Sequence, residues 1–346
     1  MLHKIKLEKF TAFEHLEVTF SSGLNILIGA NGTGKTHILK VLYAACDITK
    51  SKKSLAEKIN KVFLPSGEQI GRLAKRKTVS TEGSVEVVRH VNTPPKPIAI
   101  RLRLSNHTKT PDKATVSGAS KQWLAHPLES VYIPVKDMMA NAPGFRSLYE
   151  LRDIHFEEIY ADIISRASLP LLRGGVDTPR KSLLEILQKA MNGKVIQKNE
   201  EFFLKNEQGE LEFTLLAEGM RKLALLWLLI QNGTLLQGSV LFWDEPETNL
   251  NPRIMKTIVA ILLELQRMGV QIFLTTHDYI ILKEVDLQTR PGDAILYHSL
   301  YRDPETHEIQ ATQANHYLEI AHNTIDEAFG DMMDRDIVKS MGTLGR

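Results

Sequence analysis

Eight consecutive residues, Gly29-Ala30-Asn31-Gly32-Thr33-Gly34-Lys35-Thr36, satisfy the spacing G-x-x-x-x-G-K-[ST] at every fixed position. The glycines let successive backbone N–H groups converge on phosphate oxygens at a helix N-terminus, where the helix dipole favours anions. In such a loop Lys35 reaches the β- and γ-phosphates and the Thr36 hydroxyl binds Mg²⁺. His37 follows directly and joins the expected nucleotide contacts. The implied ligands are ATP and Mg²⁺.

Two later runs supply acids and a histidine. Val240-Leu241-Phe242-Trp243-Asp244-Glu245 is apolar until its last two residues. At the end of a buried strand, Asp244 is placed to hold Mg²⁺ and Glu245 to polarise an attacking water. Phe273-Leu274-Thr275-Thr276-His277-Asp278 closes a second such strand, and a histidine there can hydrogen-bond the γ-phosphate or the water. The expected catalytic set is Glu245, His277 and Lys35, with Thr36 and Asp244 on the metal.

These residues need strands that end together. Residues 2–28 read as three strands, the second alternating at Leu16, Val18 and Phe20, the third a buried run into the glycine loop. A helix follows, giving the strand-loop-helix order a phosphate loop requires. A short helix over 54–63 gives way to an antiparallel meander rich in Val, Ile, Thr and Arg. Residues 128–134 read as a strand and 145–192 as helices broken at Pro170 and Gly174-Gly175. A hairpin then turns at Asn206 to Gly209, and an apolar helix runs from Gly219 to Asn232. Strands over 238–243 and 271–275 flank a helix over 252–268, a βαβ unit. Residues 293–300 add a strand, and the tail from Thr312 to about Met341 reads as helical. His316 and His322 would then lie on different faces of that helix.

Composition narrows the function classes. Of 346 residues, 43% are hydrophobic and 24% charged, which suits a folded chain. The longest unbroken apolar run, Leu223 to Ile230, is far short of a membrane span, and the N-terminus has no apolar signal region. A single cysteine, Cys46, excludes an internal disulfide and fits a reducing compartment. A cytoplasmic protein is expected. Net charge is +2, yet Lys61 to Ala125 holds twelve Lys/Arg against four acids. That asymmetry suits a polyanion or an acidic partner if Lys75, Arg76, Lys77, Arg89, Arg101 and Arg103 form one surface; the alternative is a solvated face of a strand-rich insertion.

A phosphate loop, a distant DEPE and then TTHD resemble an ABC-type ATPase, which implies that His277 is a switch histidine. The likeness is nearer to the RecF, SMC and overcoming-lysogenization-defect group than to transporters. It rests on the opening strand Ile5 to Phe13 with its aromatic turn and on Asp244 to Pro252, in which Thr248 to Asn251 would be the D-loop. Leu216-Ala217-Glu218-Gly219-Met220-Arg221-Lys222 resembles the family's signature sequence, with Gly219 in place of its second glycine but Ala217 where a serine is usual. Lys136 and Asp137 occupy the slot of the family's Q-loop without a glutamine. No heptad run and no appended nuclease domain is seen.

The resemblance implies an α/β ABC-type ATPase head: a P-loop NTPase sheet core with an antiparallel β insertion and a helical subdomain. The expected division is a P-loop lobe (1–50), a basic β-rich insertion (51–127), a helical subdomain with the signature loop (128–235), the lobe of Asp244 and His277 (236–300) and a C-terminal helical tail (301–346). It also implies a homodimer that sandwiches ATP, with Gly219 facing the nucleotide of the opposite subunit. The expected function is an ATP-hydrolysing switch that controls a separate effector, a nuclease or toxin, in phage defence, with DNA or RNA as a possible ligand. The alternatives are a RecF-like DNA-repair clamp and the nucleotide-binding subunit of an ABC transporter.

Overall fold

The computed structural model describes residues 1–75, 79–91, 95–152, 154–172 and 177–343. β1 (Leu2–Phe10) and β2 (Phe13–Thr19) alternate buried apolar with outward polar residues and pair as a hairpin. β3 (Leu24–Gly29) is buried throughout, as a central strand covered on both faces must be. It leads into the glycine loop and α1 (Lys35–Ser51). α2 (Leu55–Phe63) begins at a capping box, in which the Glu57 N–H donates to the Ser54 hydroxyl and the Ser54 N–H to the Glu57 carboxylate.

The meander is β4 (Glu82–Val91), β5 (Lys96–Ser105) and β6 (Thr115–Gly118). β4 also pairs antiparallel with β1, so one five-stranded sheet runs β2-β1-β4-β5-β6. Beyond α3 (Ser120–Ala125) and β7 (Ser130–Ile133) come α4 (Phe145–Arg152), α5 (Glu158–Ala167) and α6 (Thr178–Met191). The helix break expected at Gly174-Gly175 lies outside the described residues. β8 (Lys194–Lys198), β9 (Glu201–Asn206) and β10 (Gly209–Glu212) form a small antiparallel sheet, so the expected hairpin gains a third strand. α7 (Glu218–Gln231), β11 (Val240–Asp244), α8 (Pro252–Arg267), β12 (Gln271–Thr275), α9 (Tyr279–Gln288), β13 (Ile295–Arg302), β14 (Ile309–Ala314) and α10 (Thr324–Thr343) complete the chain.

The central sheet has the order β14-β13-β3-β12-β11-β7, parallel except for β14. Alternate residues of its strands feed two cores. Leu24, Ile26, Leu241, Trp243, Ile272 and Leu274 pack with α5 to α9, while Leu27, Val240, Phe242 and Phe273 pack with α1 and the five-stranded sheet. α1 is therefore held between two sheets, and the strand ends carrying Gly29, Asp244 and Thr275 lie side by side.

The tail departs from expectation. Ile309–Ala314 is a strand, and the helix starts only at Thr324. Pairing with β14 satisfies the open edge of β13, from Tyr297↔Ala314 to Arg302↔Ile309. His316 and His322 sit in the connection rather than on a helix, and the His322 ring stacks on Tyr301 at 3.8 Å.

Among the described residues, the basic stretch does not present one electropositive surface. Arg89 is 2% exposed, stacks on Trp123 and donates to the carbonyls of Trp123 and His126. Lys75 pairs with Glu14 and Glu308, and Arg101 with Glu86 across the β4–β5 ladder. Arg101 and Arg103 do share an exposed face, as strand alternation requires. Arg76 and Lys77 lie outside the described residues.

A buried charge cluster ties the helices together. The fully buried Lys58 ammonium meets Asp47 at 2.7 Å, Asp162 at 2.6 Å and Glu158, linking α1, α2 and α5. These three carboxylates would suit a metal ion, but the Lys58 ammonium holds their centre. Cys46 is buried on α1, and burial pushes its thiol up to about 12, so it acts as a small packing residue.

Candidate nucleotide site

Gly34 closes the glycine loop at φ 86, in the left-handed region, and a Cβ there would stand 2.4 Å from the Phe13 ring. Glycine is required on both counts. Phe10 and Phe13 of the β1–β2 turn are wholly buried, and Phe13 packs beneath the loop. The Lys35 ammonium donates to the carbonyls of Gly29 (2.7 Å) and Ala30 (3.1 Å). Burial lowers it to about 8, opposed by Glu245, Asp244 and Glu247.

Asp244 sits at the end of β11 among three hydroxyls. Thr275 (2.6 Å) and Thr36 (3.1 Å) donate to Oδ1, and Tyr132 (3.0 Å) donates to Oδ2. The adjacent oxygens of Thr36 and Asp244 are the hard donors Mg²⁺ prefers, so the residues fit the ion.

Glu245 takes φ 46, an uncommon conformation for a residue with a side chain. Its N–H is held by the Thr275 hydroxyl at 3.0 Å and the Thr275 carbonyl at 3.2 Å. Its carboxylate lies 3.5 Å from His277 Nε2. Burial, then the Lys35 charge, lowers the His277 imidazole, which favours the neutral ring. Glycine-loop residues, Thr36, His37, Glu245 and His277 line one cavity of about 230 Å³. Through His37 it adjoins a second, of about 580 Å³, lined by Thr11, Ala12, Phe63 and Arg72 among others.

The structure thus brings together Lys35, Thr36, His37, Asp244, Glu245 and His277. Gly219 does not line this cavity. It opens α7 against Asn249 and Leu250 of the same chain, where a Cβ would stand 2.6 Å from Leu250 Cδ2. Glu218 accepts from Asn249 Nδ2 at 2.8 Å, and Lys222 donates to the Thr248 carbonyl at 2.6 Å. Asp137 pairs with Arg221 of α7 at 2.5 Å, tying the exit of β7 to that helix.

Sequence reading assigned no role to Tyr132, Thr275 or Glu247, although the last two stood inside motifs it quoted. Glu247 accepts from the His277 N–H at 2.7 Å and the Thr276 hydroxyl at 2.9 Å, while its Oε2 is buried without a partner. Burial raises its carboxyl from 4.5 to about 7. Folding therefore takes up a proton between those values, and wild-type protein loses that stability as pH rises through 7. Glu247→Gln escapes the loss: its thermal stability relative to wild type should grow from pH 4.5 to pH 8, reaching up to about 3 kcal/mol. A difference that stays constant across these melts contradicts the assignment.

Comparison with known proteins decides the family. The family described as "AAA domain, putative AbiEii toxin, Type IV TA system" matches residues 24–283. The chain belongs to this family. Its fold is that of an ABC-type P-loop ATPase head. The DNA replication and repair protein RecF of Limosilactobacillus fermentum is 31% identical over 99 residues, 26% of each chain. RecF of Cytophaga hutchinsonii is 44% identical over 50 residues, 14% of this chain and 13% of that protein. These matches span about a quarter or less of the curated relatives. In fold, the chain resembles an SMC head bound to the C-terminal winged-helix domain of ScpA, with TM-score 0.59, 13% identity and coverage of 91% and 97%. An SMC head with an extended coiled coil, from Pyrococcus furiosus, gives 0.58, 11%, 97% and 99%. No helix among the described residues is long and apolar enough to cross a membrane.

Proposed function

We propose that this protein is an ATPase that works as a dimeric switch, which binds ATP and Mg²⁺ between two subunits and governs a separate effector, a nuclease or toxin, in phage defence. The observation that carries the nucleotide part is the convergence of Lys35, Thr36, Asp244, Glu245 and His277 at adjoining strand ends around one cavity. The phosphates belong in that cavity and the nucleoside in the larger one beyond His37. Thr36 and Asp244 would hold the Mg²⁺, which neutralises phosphate charge when bound. Glu245 accepts the proton of the attacking water, and neutral His277 keeps that carboxylate aligned.

The family's description as a putative toxin of a type IV TA system supports the defence setting. Packing of the D-loop on α7 favours the dimer, because one rigid unit carries both segments that the resemblance places at the subunit interface. The RecF likeness favours a second reading, a DNA-repair clamp without a toxic partner. Light scattering tests the dimer: ATP with Mg²⁺ should roughly double the mass of the slowly hydrolysing variant Glu245→Gln, and ADP should not. A mass unchanged by ATP rejects the switch. If nucleic acid is a ligand, retention of a labelled duplex should fall steeply with salt, and Arg101→Glu with Arg103→Glu should weaken it several-fold.

A further inference from the structure

Asp244 is the metal-binding carboxylate of the reading above, and its surroundings are unusually complete. Thr36 and Thr275 belong to the strand and loop ends that meet at the site. Tyr132 does not: it comes from β7, an edge strand outside every nucleotide motif. Its side chain is 2% exposed, and its phenol donates to Asp244 Oδ2 at 3.0 Å.

The ring has little freedom to leave. Tyr43 of α1 meets it edge-on at 5.5 Å, and the Tyr43 hydroxyl is itself anchored to Asp162 at 2.6 Å within the Lys58 cluster. Main-chain pairing of β7 with β11 places Tyr132 beside Phe242, fixing the strand from which the phenol reaches Asp244. Tyr132 grips Oδ2 and Thr275 grips Oδ1 at 2.6 Å, so the carboxylate keeps a single rotamer, in which Oδ1 lies next to Thr36 and towards the cation position.

We propose that Tyr132 is a positioning residue for Mg²⁺ binding, acting through Asp244 Oδ2. This rests on the ATP·Mg²⁺ reading of the site. Outer-sphere hydrogen-bond partners of this kind are worth about 10- to 100-fold in metal affinity. Tyr132→Phe keeps the ring and its packing and deletes only the donor.

The test uses Mn²⁺ in place of Mg²⁺, followed by electron paramagnetic resonance with ATP present, on wild type, Tyr132→Phe, Asp244→Asn and the control Tyr301→Phe, whose ring stacks on His322. Tyr132→Phe should bind Mn²⁺ about 10-fold more weakly, while ATP affinity in chelator and the Mn²⁺ affinity of Tyr301→Phe stay at wild-type values. Hydrolysis by Tyr132→Phe should need about 10-fold more Mg²⁺ for half its maximum and recover at saturating Mg²⁺. Unchanged Mn²⁺ affinity in Tyr132→Phe, or a lost rate that excess Mg²⁺ does not restore, overturns the inference alone if Asp244→Asn has lost Mn²⁺. Wild-type Mn²⁺ affinity in Asp244→Asn overturns the metal-site reading and this inference with it.

Discussion

Replacing Lys35 by alanine weakens ATP binding by about 10²- to 10³-fold in calorimetry, the expected loss of two or more charge-assisted hydrogen bonds to phosphate. Lys35 is 6% exposed, and its ammonium already points into the loop, onto the carbonyls of Gly29 and Ala30. Its place at the start of α1 is fixed by Gly34, whose left-handed backbone and contact with Phe13 leave no room for a side chain. Burial brings its ionisation down to about 8, so wild-type ATP affinity should decline as pH rises past that value. Phosphate binding favours the charged ammonium and must take up a proton above it. A wild-type affinity in Lys35→Ala, with an intact thermal transition, would remove the phosphate-loop assignment altogether.

What the sequence made legible was whatever depends on local spacing. The glycine loop, the apolar runs ending in Asp244 and Thr275, and the helix between them obey short-range rules of period and punctuation. What it left hidden depends on which strand meets which. Nothing in the alternation of β4 names β1 as its neighbour, so the meander read as an insertion rather than as the continuation of the N-terminal hairpin. The register Ile309-Gln310-Ala311-Thr312-Gln313-Ala314 has the period of a strand, but its polar residues and the helical run beyond it masked the signal. Tyr132 was invisible for the same reason: a tyrosine in an apolar strand is ordinary until the parallel pairing of β7 with β11 aims it at Asp244. Charge counting failed most plainly at Arg89, which a sum over residues treats as surface and the structure buries against Trp123. The partner that packing supplies to a charged side chain is a three-dimensional fact.

Replacing Glu245 by glutamine slows ATP hydrolysis by about 10²- to 10⁴-fold while leaving ATP affinity near wild type, the loss expected of a general base. The structure distinguishes this residue from the second glutamate of the same motif, Glu247. Glu245 lines the cavity with Lys35 and His277, and its N–H is pinned by Thr275, so its unusual backbone conformation aims the carboxylate at the reacting space. Glu247 instead lies beneath His277, spends one oxygen on the His277 N–H and the Thr276 hydroxyl, and is driven by burial to about 7, where half of it is protonated. A buried, half-protonated carboxyl bonded to backbone is poorly placed to take a proton from water. Glutamine at 245 keeps the side-chain shape, and its carbonyl can still face His277, 3.5 Å from the wild-type oxygen. Bound ATP should therefore persist, and light scattering should show a long-lived dimer in Glu245→Gln that wild type forms only transiently. Glu247→Gln should keep most of the hydrolytic rate. Should the two variants exchange behaviour, with Glu245→Gln turning over normally and Glu247→Gln inert, the base would be Glu247 and the role of the 3.5 Å Glu245–His277 contact would be structural.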